Sequence, residues 1–294
     1  MVGPDDFIDT HVHFWDHSVE GLHWPWLEAG FSHRNVAGTE QLDAPRYTTA
    51  EFRAESAGAG VAGMVHVQAV DGVADLARET EWLQGLADRS GLPSAIVGSC
   101  IVTAPDAVAL LERHARFPRF VGVRDITAAK HLDATEAAPA LDRLAAAGRS
   151  FEARRHHAQF DVLDEIAARW PDLTVVLSHA CLPAERTESE RAAWTEAARA
   201  LARRPNVVCK ISAVAGASDP NWTVASIRPW ILGCIDTFGP DRCMFGTNWP
   251  IDRLHGTYLD VVAAYREVTA DLSDSDRHAV LAGTASRVYA IADR

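Results

Sequence analysis

The sequence is poor in the features that would send a chain to a membrane, to nucleic acid or to an oxidising compartment. No stretch reaches the ~18 consecutive apolar residues of a membrane helix. The opening Met1-Val2-Gly3-Pro4-Asp5-Asp6 also lacks the basic-then-apolar pattern of a secretion leader, so the cytoplasm is the expected compartment. Basic residues are in deficit: 28 Lys and Arg stand against 40 Asp and Glu, for a net charge of −12. Nucleic acid and anionic membrane would be repelled, which leaves a small molecule as the expected partner. Cysteines number five, at Cys100, Cys181, Cys209, Cys234 and Cys243, with no CxxC pair. Wide spacing and an odd count argue against a disulfide framework and for buried free thiols.

What is present is a large apolar fraction, 48% of 294 residues, arranged as short apolar runs alternating with helical patterns. Strands are predicted over 7–13, 63–69, 95–102, 120–126, 150–156, 174–179, 207–212 and 243–250. Helices are predicted over 49–58, 73–90, from Pro105, from Ala137 to before Gly148, up to Trp170, over 186–203 and over 224–238. Two more close the chain, the second capped by Ser273 with Asp276 three residues on. Eight such units predict an α/β fold, a single (β/α)8 TIM-type barrel over 1–294 with no domain boundary. A segment of about thirty-five residues after the first strand, holding His17, His23, Trp24, Pro25, Trp26, Leu27 and His33, is expected as a functional lid, a pocket wall or a structural plug.

A barrel of this kind gathers its chemistry where strands end. The polar residues at those ends are His11 and His13, Gln68, Arg124 and Asp125, Arg155 and His156, His179, Ser212, and Asn248 with Asp252. His11 and His13, two apart on one strand, share a face. With His179 they offer three neutral imidazoles to a divalent metal, zinc first among the candidates, with room left for water. Arg124 suits a substrate carboxylate as a bidentate clamp, or else pairs with Asp125. Lys210, before its strand end, is a buried ion-pair partner, a pocket cation or a solvated residue.

In order along the chain, Ile8-Asp9-Thr10-His11-Val12-His13-Phe14-Trp15-Asp16, Trp24-Pro25-Trp26-Leu27, Gly122-Val123-Arg124, Leu177-Ser178-His179, Cys209-Lys210-Ile211-Ser212, Met244-Phe245-Gly246-Thr247-Asn248-Trp249-Pro250 and Ala285-Ser286-Arg287-Val288-Tyr289 resemble the amidohydrolase-related (amidohydrolase 2) proteins of the sugar-lactonase and dicarboxylate-lactonase group. The resemblance implies a β/α barrel that hydrolyses lactones derived from sugars or from aromatic breakdown, in some members without metal. It places His11, His13 and His179 in the catalytic and metal-binding set and Arg124 at the substrate. Trp26, His156 and Trp249 complete the expected substrate contacts. One position departs from the family pattern: an aspartate acting as general base is replaced by Asn248, and an amide cannot take up a proton near neutral pH. Asp252 or His179 would then serve, with Asn248 holding water or a substrate oxygen. The same departure keeps two alternatives in view, an amidohydrolase-type decarboxylase of aromatic or dicarboxylic acids and a barrel that binds a small acid without turnover. Homo-oligomerisation is left open.

Overall fold

In the computed structural model, which describes residues 6–30, 38–216 and 219–291, the apolar segments pair side by side in chain order. β1 (Phe7–Val12) is followed by a two-residue strand, β2 (Trp15–Asp16), paired antiparallel with β3 (Arg46–Tyr47) across the early segment. α1 (Thr49–Glu55) leads to β4 (Val61–Val67). Helix and strand then alternate through α2 (Ala77–Ser90), β5 (Ala95–Ser99), α3 (Ala107–His114), β6 (Phe120–Asp125), α4 (Ala138–Ala146), β7 (Ser150–Ala153), α5 (Asp161–Arg169), β8 (Val175–Leu177), α6 (Glu188–Leu201), β9 (Val207–Ile211), α7 (Val224–Phe238), β10 (Cys243–Phe245) and α8 (Tyr258–Val268). The chain closes with α9 (Asp274–His278), a π turn over Ala279–Gly283 and α10 (Thr284–Tyr289).

The eight longer strands form one parallel sheet in the order β1-β4-β5-β6-β7-β8-β9-β10. It closes on itself where Val12 bridges Trp249 and the His13 amide donates to the Trp249 carbonyl at 2.7 Å. This is a TIM-type (β/α)8 barrel. Its strands are buried on both faces, as parallel strands between helices must be, which is why they read as apolar runs rather than alternations. Four of the helices start where side chains satisfy their free amides: Thr48 with Glu51 before α1, Thr223 with Ser226 before α7, Thr257 with Asp260 before α8, and Ser273 before α9.

Two apolar clusters hold the layers together. The larger lies largely between barrel and helices. The smaller is the barrel interior, built from Ile8, Val65, Val97, Val121, Val176, Val208, Met244 and their neighbours and closed by Tyr289 and Ile291. β7 supplies no apolar side chain to that interior cluster and brings the buried carboxylate of Glu152 instead.

The strands end earlier than predicted, β5 at Ser99 rather than 102 among them. β7 stops at Ala153 rather than at residue 156, β8 at Leu177 rather than 179, and β10 at Phe245 rather than 250. After β8, His179, Ala180 and Cys181 all take left-handed backbone (φ 54°, 51° and 49°), and after β10 Asn248 does so (φ 59°), so the chain leaves the ladder there. The early segment is ordered in its described parts: besides β2 and β3 it has 3-10 turns at Pro25–Leu27 and Thr39–Leu42, and it buries Trp15, Trp24 and Leu27. His33 lies outside the described residues. His17 and His23 are largely exposed and paired with Asp43 and Glu28. All five cysteines are buried and free. Among the described residues no helix is long and apolar enough to cross a membrane.

Candidate active site at the barrel mouth

His11 and His13 stand at the carboxyl end of β1, and the left-handed turn after β8 swings His179 toward them. Ring centroids are 4.9 Å apart for His11 and His13 and 4.4 Å for His11 and His179. Burial, first of all, holds the three imidazoles well below their ordinary value of 6.5. Neighbouring histidines and Arg124 push the same way on all three, Lys210 adds to the effect at His11 and His179, and Arg154 adds at His179. All three are therefore neutral bases at neutral pH.

Their hydrogen bonds distinguish them. His13 Nδ1 meets the Val67 carbonyl at 2.9 Å, so its proton lies there and Nε2 is left as an acceptor. The Asn248 side chain hydrogen-bonds His13 and also donates from Nδ2 to Asp252 Oδ1 at 2.9 Å. An amide can donate to the Asp252 carboxylate in this way, which an ionised aspartate at the same position could not. Asp252 is fully buried, against the backbone of Gly216. A Cβ on Gly216 (φ 142°) would come within 2.6 Å of the Asp252 carboxyl carbon, so only glycine leaves room for that acid. His179 Nδ1 lies 2.8 Å from Ser212 Oγ, at the end of β9.

Arg124 does not pair with Asp125, whose carboxylate instead accepts the amides of Thr127, Ala128 and Val102. Its Nε and Nη2 donate to Gln68 Oε1 at 2.9 and 2.6 Å, Nη2 donates also to the Gln68 carbonyl at 2.7 Å, and Nη1 lies 3.3 Å from His11 Nε2. The edge of the guanidinium that would grip a carboxylate is thus filled by Gln68. Burial lowers Arg124 to about 10, opposed by Glu152 and Glu79, so it remains a cation.

Of the other expected contacts, Trp26 joins the mouth, its ring 6.1 Å from His13 and its indole N–H on the Ala69 carbonyl at 2.8 Å. Trp249 does not. Its indole donates to Glu55 Oε2 at 2.6 Å and meets Tyr258 edge-on, so it faces α1 and α8, and only its main chain serves the mouth. His156 stands on the outer rim with His157 and Glu190, because β7 has ended three residues before it. Arg155 is buried and donates to the Ala128 carbonyl.

His66, Glu79 and Glu152 escaped the sequence, whereas Lys210 takes the buried ion-pair role that was one of its expected readings. His66 accepts the Phe14 amide at 2.9 Å behind His13, and burial lowers it to about 3. Glu79 accepts the amides of Ala69 and Val70, fixing the loop that carries Gln68. Beneath the mouth, Lys210 Nζ bridges both oxygens of Glu152 at 2.8 and 2.7 Å, and Tyr289 donates to the same carboxylate at 2.6 Å. A polar residue inside an apolar run, as at Glu152 and Lys210, is a signal of a buried pair. Glu79, in an ordinary helical first turn, gives none.

Does the mouth suit a divalent ion? Neutral imidazoles are good zinc ligands, but the donor atoms of His11, His13 and His179 do not all come within 4.8 Å of one another. The cationic Arg124 lies against His11 Nε2, and His13 Nδ1 is taken by the Val67 carbonyl. As placed, the three histidines do not fit a metal ion.

The sequence profile of the amidohydrolase family matches residues 8–291. The chain belongs to the amidohydrolase family. Among relatives of this amidohydrolase, an L-fucono-1,5-lactonase of Burkholderia ambifaria is 30% identical over 97% of this chain and 95% of its own length. The crystal structure of a Burkholderia multivorans amidohydrolase with bound zinc superposes with a TM-score of 0.80 at 27% identity, covering 97% of this chain and 99% of that one. A 5-carboxyvanillate decarboxylase of Sphingomonas paucimobilis shares the fold, with a TM-score of 0.63 at 15% identity over 97% of this chain and 99% of that one.

Proposed function

We propose that this amidohydrolase hydrolyses a small lactone, and a sugar-derived lactone in preference to a carboxylated one. The observation that carries the reading is a guanidinium locked by Gln68 above neutral imidazoles, with Nη1 directed into the cluster. One N–H of Arg124 remains for a single oxygen, which suits the oxyanion that develops as water attacks a ring carbonyl. It does not suit two-point capture of a carboxylate. The 30% identity to an L-fucono-1,5-lactonase supports the same substrate class.

The base follows by elimination. His13 is engaged at both nitrogens and His11 Nε2 faces Arg124. His179 has Nδ1 fixed by Ser212, while its Nε2 makes no hydrogen bond among the described residues. In this reading His179 Nε2 takes the proton of the attacking water and returns it to the departing ring oxygen, while Arg124 holds the oxyanion. Burial keeps His13 neutral, and Asn248, anchored on Asp252, holds it in place.

The test is proton release by the purified protein from sugar 1,5-lactones and from muconolactone-type acids, corrected for spontaneous opening, beside His179→Gln. Turnover of sugar lactones, lowered roughly 10²–10⁴-fold in the variant, is the expected result. Carbon dioxide release from aromatic or dicarboxylic acids without lactone opening would replace this reading with the decarboxylase. Tight binding of a lactone or acid without turnover would replace it with a binding protein.

A further inference from the structure

The barrel rim holds a second group of histidines. Where β7 ends, the chain runs through Arg154 and Arg155 into a single 3-10 turn over His157–Gln159. Neighbours in a strand would point apart, but His156 is still extended (φ −67°, ψ 143°) while His157 has entered the turn, so their rings come together with centroids 4.1 Å apart. Glu190, in the first turn of α6, reaches both. Its Oε2 is 3.9 Å from His156 Nε2 and 3.9 Å from His157 Nδ1, and the donor atoms of the three residues all lie within 4.8 Å of one another. The His157 side chain is 10% exposed, and its Nδ1 is buried with no hydrogen-bond partner among the described residues. A buried nitrogen aimed at a carboxylate but too far to bond it is short of a partner between the two.

We propose that His156, His157 and Glu190 form a zinc site at the barrel rim, separate from the histidines at its mouth. Two imidazole nitrogens and one carboxylate are a donor set for zinc rather than magnesium or calcium, which take oxygen, and solvent supplies the fourth position. Zinc bonds of about 2.0–2.2 Å in a tetrahedron set donors roughly 3.3–3.5 Å apart. The present 3.9 Å closes by small rotations of His156 and Glu190, which are 53% and 31% exposed. His156 is the weaker ligand, because its Nδ1 accepts the Ala158 amide at 3.2 Å and must release that contact to carry a proton once Nε2 binds metal. The bound ion would tie the loop after β7 to α6.

The experiment is zinc titration of chelator-stripped protein by calorimetry, with cobalt(II) absorption reporting coordination. His157→Ala, Glu190→Gln, His156→Ala and a His11→Ala/His13→Ala pair are compared after circular dichroism has confirmed their folding. One zinc per chain is expected, retained in the His11→Ala/His13→Ala pair. Affinity falls at least tenfold in His157→Ala and in Glu190→Gln, and less in His156→Ala. Glu190→Gln, nearer the surface, answers the question even if His157→Ala fails to fold. Zinc lost with His11 and His13 but kept in Glu190→Gln overturns the proposal, as does the absence of any micromolar site.

Discussion

Of the five N–H groups of Arg124, four are engaged, three by Gln68 and one by His11. That arrangement separates a residue that grips a ground-state carboxylate from one that waits for charge to develop. Arg124→Lys keeps the charge and loses the fork, so kcat should drop about 10²-fold or more with KM little changed. Steady-state kinetics on a sugar lactone checks this, and an effect confined to KM for carboxylated substrates would return Arg124 to the role of clamp. The position of Arg124 at a strand end was legible in the sequence. Its partner was not, because Gln68 follows β4, two strands away in the sheet and 56 residues away in the chain. The same holds for Asn248: the substitution stood out in the sequence, but its bridging of His13 and Asp252 depends on a left-handed residue and on the space left by Gly216.

Elements meet inside the barrel at Glu152 of β7, Lys210 of β9 and Tyr289 of α10, all fully buried. The chain has two lysines, and this one is tied to two oxygens of a single carboxylate. Breaking such a pair strands a charge in the interior, so Lys210→Met alone should destabilise by about 3–5 kcal/mol, whereas Lys210→Met with Glu152→Leu should recover a large part of that loss. Urea unfolding of the two singles and the double closes the cycle, and additive losses would contradict the pairing. Helix extents followed well from the sequence where caps are local: α7 runs Val224–Phe238 as expected, through Pro229. Strand ends did not, because the apolar runs continue past the last ladder bond, and the left-handed turns at His179 and Asn248 leave no mark in hydropathy.

Across the whole molecule, buried titratable groups set how stability follows pH. His66 and His114 are lowered by burial to about 3 and about 4, while an unfolded histidine takes its proton near 6.5. Their contribution is whole above 6.5 and is lost as pH falls toward those values. Glu79 acts in the opposite sense. Burial raises it to about 7 from an ordinary 4.5, so its contribution is whole below 4.5 and is lost as pH rises to 7. Glu79→Gln keeps an oxygen for the Ala69 and Val70 amides and removes that loss. Between pH 5 and 7 the variant should gain on the wild type by on the order of 1 kcal/mol per pH unit. Urea midpoints across that range give the slope, and parallel curves would mean that Glu79 is ionised throughout.

The alternation of apolar runs with capped helices determined the barrel from the sequence alone, because burial on both faces of a parallel strand and the 3.6-residue period of a helix are local and periodic. The same pattern marked which segments are strands, if not where each one stops, and brought His11, His13, Arg124 and His179 into consideration together. Tertiary structure decided what each of them does. Gln68 fills the fork of Arg124, Glu55 turns Trp249 away, and the early end of β7 sends His156 to the rim beside Glu190. These outcomes depend on distances between residues tens to hundreds of positions apart, and closure of the sheet, not local propensity, sets those distances.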